Sequence, residues 1–257
     1  MEPGIIIALI IASFLAAFID SIAGGGGLIL LPSLLVAGIP PQLALGTNKF
    51  AAMFGTGTAL INFIKNKKVI WKIAFIGIGF SLVGSASGAK AVLLFNQETV
   101  AKIILALLPI TAIITFLPKK RLKTKESSFT RANLFVHIPL ICFIIGFYDG
   151  FFGPGTGSFL IFFFYVFLGL HLVNSSAVSK VFNFGSNVGA FVAFAVAGKV
   201  LYTVGIPIAI ANIAGGFLGS RLAIKKGQKV IKLFLVLAFI ILFITLAVKY
   251  LDFGKLF

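Results

Sequence analysis

Two aspartates lie inside apolar stretches of this sequence, and a glycine-rich break follows each of them. Asp20 stands in FIDSIAGGGG and Asp149 in FYDGFFGPGTG, whereas the other acidic residues lie at segment ends or in polar loops. An ionised carboxylate in hydrocarbon is costly unless it is paired, protonated or hydrated. Two interpretations follow: the aspartates carry protons that couple transport to a gradient, or they are structural, capping helix starts or pairing with a lysine.

The glycines after each aspartate predict that one helix ends and another begins there. Glycine adopts positive φ and has no side-chain bulk, so the new helix can point its free N–H groups into a cavity. Such helix starts favour anions, and we assign substrate contacts here to Gly25, Gly26, Gly155 and Thr156. The alternative is that these glycines only allow close helix packing.

A second pair of motifs carries a lysine followed by small polar residues. The stretches GTNKFAAMFGTG and AVSKVFNFGSNVG each place the lysine near the start of an apolar segment. Lysine supplies charge, and amides and hydroxyls supply directional hydrogen bonds to an anion. The predicted substrate-binding residues are Asn48, Lys49, Ser179, Lys180 and Asn183. Alternatively, the lysines extend to the membrane interface and the polar residues hold helices together.

A third pair of motifs, GSASGAK and GGFLGSR, is predicted to be structural. Gly84 and Gly88, like Gly215 and Gly219, are four residues apart, so each pair lies on one helical face. Small residues at this spacing let two helices approach closely.

The composition is that of a membrane protein. Of 257 residues, 60% are hydrophobic and only 11% are charged, and repeated apolar runs of about 20 residues match the hydrocarbon thickness. The net charge of +16 comes from clusters between apolar runs, which favours anionic lipid over nucleic acid as the partner. Cys142 is the only cysteine, and the sequence has no metal-ligand spacing and no phosphate-binding loop. We therefore predict no metal, no cofactor and no enzyme activity.

The chain also repeats itself at a displacement of about 131 residues. This displacement predicts an all-α polytopic membrane protein with two homologous halves, residues 1–117 and 133–257, joined by a charged cytoplasmic linker at 118–132. Each half divides into five apolar segments with glycine-broken helices. The predicted segments are 3–23, 27–45, 47–64, 70–95 and 98–117, then 133–152, 157–173, 175–197, 200–223 and 230–250. The second segment of each half either spans the membrane or is re-entrant, which would leave eight spans.

Loop charge favours an inverted repeat with five plus five segments. The loop at 65–72 has four lysines and its counterpart at 196–203 has one, whereas the bias is reversed for the turn at 96–98 and its counterpart at 221–232. Positive loops stay in the cytoplasm. Only an inverted second half places 65–72, 119–131 and 221–232 on that side together.

These motifs together resemble the sulfite exporter TauE/SafE family of bacterial membrane proteins. The resemblance rests on FIDSIAGGGGLILLPSLLVAGIPPQLALGTNKF, on GSASGAK and GGFLGSR, and on GFYDGFFGPGTGSF, and it covers nearly the whole chain. It implies a multi-pass protein of the bacterial inner membrane that moves small anions such as sulfite and organosulfonates, often outward. Sulfur enters only through the resemblance. The second half has Ser179 where the first has Asn48, which argues against a strictly symmetric site.

The function predicted from these features is secondary transport of a small anion by alternating access between the halves, with proton coupling as an added hypothesis. The alternatives are a channel-like or cation-coupled carrier of another small solute and a non-transporting membrane scaffold. Polar groups in hydrocarbon are energetically costly, and a scaffold does not need them, so their presence argues against the scaffold alternative. The substrate, direction, coupling ion and any homo-oligomeric assembly are left open.

Overall fold

A computed structural model describes residues 2–116 and 133–227. These residues form nine α-helices and one π-helical turn, and no strand occurs among them. The helices are α1 (Pro3–Ala23), α2 (Gly27–Val36), α3 (Pro41–Lys65), α4 (Trp71–Leu93), α5 (Gln97–Phe116), α6 (Ile138–Phe151), α7 (Thr156–Val166), α8 (Leu172–Val196) and α9 (Tyr202–Lys226); the π-helical turn Asn133–His137 leads into α6. The predicted linker at 118–132 and the predicted last segment at 230–250 lie outside the described residues.

Three of these helices are long and apolar enough to cross a membrane by length and composition: α1, α4 and α9. The helices α2 and α7 have 10 and 11 residues, about 15 and 16 Å at 1.5 Å per residue. Neither reaches across roughly 30 Å of hydrocarbon.

The boundaries predicted for the second and third segments of each half are wrong. The segment predicted at 27–45 ends at Val36, and α3 begins at Pro41 instead of at 47. Gly38, with φ of 80°, ends the first helix, and the N–H groups of Gly38 and Ile39 donate to its last carbonyl oxygens. Pro41 starts the second helix because proline fits the first helical turn. The segment predicted at 157–173 likewise ends at Val166, and α8 begins at Leu172 instead of at 175.

The close helix pairs join the N-terminal part of the chain to the C-terminal part. Helix α4 packs along α6, and α1 packs along α9. A Cβ on Gly84 would collide with the carbonyl oxygen of Phe143, and one on Gly215 with that of Phe14. Gly88 meets Phe147 and Gly219 meets Phe18 in the same way, one turn further along. The glycines therefore bring helix backbones into direct contact.

The long helices α3 and α8 cross as an antiparallel pair. Gly46 of α3 lies against Phe194 of α8, and eleven residues later Gly57 lies against Phe184. Between them, the ring centroids of Phe50 and Phe191 are 5.3 Å apart. Residue numbers therefore increase along α3 in the direction in which they decrease along α8, as in an antiparallel pair. Three apolar clusters surround this crossing and form the core of the described part of the chain.

The backbone contact at Gly88 gives a direct test of this packing. We expect Gly88→Ala to lower the free energy of unfolding by about 1–3 kcal/mol, because the new methyl group would overpack the contact with Phe147 and Phe151. In the same helix, Gly79 has nothing within 4 Å of a built Cβ. We expect Gly79→Ala to leave stability unchanged or raise it by about 0.5–1 kcal/mol, since alanine is the better helix former. Denaturant unfolding in detergent measures both; equal effects would contradict the packing.

Candidate functional site

A cavity lies where the broken ends of α1 and α6 meet the middle of α3, α8 and α9. It contains about 480 Å³ of space not filled by atoms, including its open mouth. The polar residues lining it are Asp20, Asn48, Lys49, Thr56, Asp149, Thr156, Asn183, Asn187 and Asn212. Polar residues and glycines therefore outnumber the larger apolar residues that line it.

Two helix starts open into this cavity, at the glycine breaks that the sequence indicates. Helix α1 ends at Ala23, and Gly24 follows with φ of 79°. The cavity is lined by Gly25, Gly26 and Gly27 at the start of α2 and by Gly155, Thr156 and Gly157 at the start of α7. A Cβ on Gly24 would collide with the backbone of Gly157 and Ser158. Only glycine allows the two breaks to meet so closely. The Gly26 N–H already donates to Asp20 and the Thr156 N–H to the Gly153 carbonyl oxygen at 3.2 Å, so these helix starts attract an anion mainly through the positive ends of their dipoles.

The first of two buried ion pairs joins α3 to α6. Lys49 Nζ lies 2.7 Å from Asp149 Oδ1, and the two side chains are 3% and 2% exposed. The Ser186 hydroxyl donates to Asp149 Oδ2 at 2.6 Å, and Lys49 Nζ donates to Asn187 Oδ1 at 3.5 Å. Both charges therefore have partners from α8 as well as from each other.

The second ion pair joins α8 to α1. Lys180 Nζ lies 2.6 Å from Asp20 Oδ2, and Lys180 also donates to the backbone oxygen of Asp20. The Gly26 N–H donates to Asp20 Oδ1 at 3.3 Å. The Lys180 side chain is 0% exposed, but that of Asp20 is 18% exposed. Asp20 is thus the more accessible of the two cavity carboxylates.

The two pairs bear on alternatives that the sequence left open. Each aspartate pairs with a lysine, and Asp20 also accepts from the Gly26 N–H at the start of α2, as the structural interpretation expects, whereas the proton-carrier interpretation stays a prediction. Both lysines are buried and paired. With both pairs formed, two cations balance two carboxylates around the cavity.

Two residues predicted to bind substrate do not line the cavity. Ser179 is fully buried, and its hydroxyl donates to the Ser176 carbonyl at 2.8 Å within α8. The Lys180 ammonium lies behind Asp20 and is occupied by it. The prediction treated the lysine and the residue before it as equivalent in both halves, but only Asn48 and Lys49 face the cavity.

Asn48 remains available to a ligand. Its side chain lines the cavity, and in the described part of the chain its amide has no hydrogen-bond partner. Asn183 also lines the cavity, and its carbonyl oxygen accepts from Asn187 Nδ2 at 3.3 Å. These amides can donate to an oxyanion next to the Lys49 ammonium.

Asn187, Thr56 and Asn212 also line the cavity, although they were not predicted as site residues. Asn187 Nδ2 donates to Thr56 Oγ1 at 3.3 Å, bridging α8 to α3. Asn212 Nδ2 donates to Ser13 Oγ at 2.7 Å, which ties α9 to α1 beside the cavity. A lone amide in the apolar stretch IAIANIAGG was a signal for Asn212, because intramembrane polar groups mark functional sites.

Comparison with known proteins adds independent findings. The family model described as "Sulfite exporter TauE/SafE" matches residues 9–246. The chain is 41% identical to "Probable membrane transporter protein ORF9" of Sinorhizobium sp, over 93% of this chain and 90% of that protein. It is 39% identical to "Probable membrane transporter protein YfcA" of Escherichia coli strain K12, over 90% and 86%. A "Probable membrane transporter protein" of Haemophilus influenzae is 35% identical over 90% and 91%. No solved structure matches the chain significantly.

Proposed function

The chain belongs to the sulfite exporter TauE/SafE family, and from this premise we propose that it is a secondary transporter of small anions such as sulfite or organosulfonates. The bacterial relatives and the three apolar helices make it a multi-pass membrane protein. The bacterial inner membrane is its proposed location. Its transport direction is proposed to be outward, as the family's name suggests.

The observation that carries this proposal is the cavity with two helix starts and the Lys49 ammonium at its wall. N–H groups of helix starts and an ammonium group attract anions. Asn48 and Asn183 add hydrogen-bond donors with fixed direction.

The crossed ion pairs and the antiparallel α3 and α8 support alternating access between two inverted halves. Each pair links a residue before position 117 to one after position 133. In this proposal the halves rock about the α3 and α8 crossing, and the ion pairs hold the two halves together in the present arrangement. Proton uptake at Asp20 is proposed to couple transport to a gradient.

Flux into proteoliposomes tests the proposal. We expect saturable, counterflow-competent flux of sulfite or sulfoacetate that exceeds flux of sulfate and chloride by at least tenfold. Flux driven by imposed pH and voltage gradients separates a proton-coupled carrier from an uncoupled one. Non-saturable flux without counterflow would favour a channel, and no flux of any panel member would favour a scaffold.

Variants at the cavity wall make the test specific. Lys49 and Asn48 line the cavity, whereas Lys102 forms an exposed pair with Glu98, and neither of these two residues lines it. We expect Asn48→Ala to raise the KM for the anion at least tenfold, because it removes an unpaired donor without breaking a salt bridge. Lys102→Ala should leave flux unchanged; equal effects of both changes would contradict the site.

A further inference from the structure

The polar face of α8 continues beyond the cavity. At about 100° per residue, seven polar side chains of α8 share a face roughly 140° wide. They are Ser175, Ser176, Ser179, Lys180, Asn183, Ser186 and Asn187. Asn183 and Asn187 line the cavity. Ser175 and Ser176 lie seven to eight residues before Asn183, about 11 Å further along the axis.

Two hydroxyl groups on this extension lack hydrogen-bond partners. Ser175 and Ser176 are both 0% exposed, and neither hydroxyl oxygen has a partner within the described residues. Burying a hydroxyl without a partner is unfavourable. Water or a solute that reached this face of α8 would supply the missing partners.

The same extension is absent from α3. At the displacement of 131 residues, the positions matching Ser175 and Ser176 are Ala44 and Leu45. Both are fully buried among apolar side chains. Helix packing alone requires no hydroxyl at either position. The difference between α3 and α8 therefore indicates that the two serine hydroxyls have a role in the second half of the chain that the first half lacks.

The extension leads toward the lysine-rich loop at 66–70. Asn174 Nδ2 donates to the Lys68 carbonyl at 3.1 Å. Leu172 packs with Ile22, Phe63 and Val69 in one apolar cluster, which closes this end of α8. Lysines around the loop supply positive charge that attracts anions to its surface.

We propose that the polar face of α8 lines a passage for the anion between the cavity and the loop at 66–70, closed here by the Leu172 cluster. Ser175, Ser176 and Ser179 form its wall and gain water or the anion as partners when it opens. This inference rests on the proposed function for the identity of the solute. The Asp20 and Lys180 pair lies at its inner end, next to the cavity.

Cysteine accessibility tests the passage directly. The background is Cys142→Ala, which removes the single cysteine. Ser175→Cys and Ser176→Cys are treated with a small, membrane-impermeant anionic methanethiosulfonate in vesicles of each orientation. The matched control is Ala177→Cys, since Ala177 is equally buried but lies on the apolar face of α8. We expect modification at least tenfold faster than for Ala177→Cys, and only from the side that exposes the loop at 66–70.

Rates equal to that of Ala177→Cys in both orientations would overturn the passage. Labelling without anion flux would overturn the proposed function and support a hydrated passage. Anion flux without labelling would support the proposed function and overturn the passage.

If a cysteine variant does not fold, the Ser176→Ala variant is measured in its place. We expect this change to raise Tm, because it removes an unpaired buried hydroxyl, and to lower anion flux at least threefold. Unchanged flux would contradict the passage, and a purely structural serine would change only Tm.

Discussion

Lys49→Met is expected to lower the free energy of unfolding by about 3–5 kcal/mol, because it leaves the Asp149 carboxylate buried without its counter-charge. The Lys49 and Asp149 side chains are 3% and 2% exposed, and their atoms are 2.7 Å apart. The Ser186 hydroxyl donates to Asp149 but carries no charge to replace the ammonium. Denaturant unfolding in detergent measures the loss.

The double variant Lys49→Met with Asp149→Asn separates stability from function. Removing both charges leaves no unpaired ion, so most of the lost stability should return. Anion flux should stay at least tenfold below the original level, since the cavity has lost its ammonium. The exposed pair of Lys102 and Glu98 provides the matched control, because surface pairs contribute little. A Lys49→Met variant as stable as Lys102→Met would contradict the buried pair.

The sequence indicates which groups are costly in the membrane but not how they pair. Asp20 and Lys180 are 160 residues apart, and no local pattern selects Lys180 over Lys49 as the partner of Asp20. That choice comes from the packing of α1 on α9 and of α4 on α6. The glycines at 84, 88, 215 and 219 enter directly into that packing.

Local sequence signals locate most helices but misplace the short ones. In the stretch from Gly27 to Leu45, apolar residues continue through Pro40 and Pro41, so hydropathy alone does not mark the end of α2 at Val36. Gly46 resembles a helix break, yet it lies within α3 because the carbonyl of Lys199 occupies the space of its missing Cβ. A glycine required by tertiary contact thus has the same sequence signal as one required by a turn.

The candidate site was predictable only where local sequence signals mark it. Asn48, Lys49 and the glycine breaks lie at the cavity, because charge and helix breaks in apolar segments are local signals. Lys180 has the same local signal but is occupied by Asp20. The two aspartates also differ in exposure, at 18% for Asp20 and 2% for Asp149, and this difference arises only from tertiary packing.

Asp20→Asn is expected to tighten anion binding. Removing the Asp20 carboxylate, which lines the cavity, leaves the set of two cations and two carboxylates with one net positive charge. For charges about 6 Å apart at an effective dielectric constant near 20, the change is about 3 kcal/mol, or roughly a hundredfold in Kd. The anion should therefore bind more tightly to the variant, because a carboxylate that repels it is gone from the cavity wall.

Anion-dependent thermal stabilisation with methanesulfonate measures Kd, since a ligand bound to the folded state raises Tm. The control is Glu98→Gln, which also removes one carboxylate from a lysine pair, but from an exposed pair that does not line the cavity. We expect Glu98→Gln to leave Kd unchanged, because an exposed charge is screened by solvent. If Asp20→Asn binds methanesulfonate no more tightly than Glu98→Gln, the Asp20 carboxylate does not face the bound anion and the placement of the site is wrong.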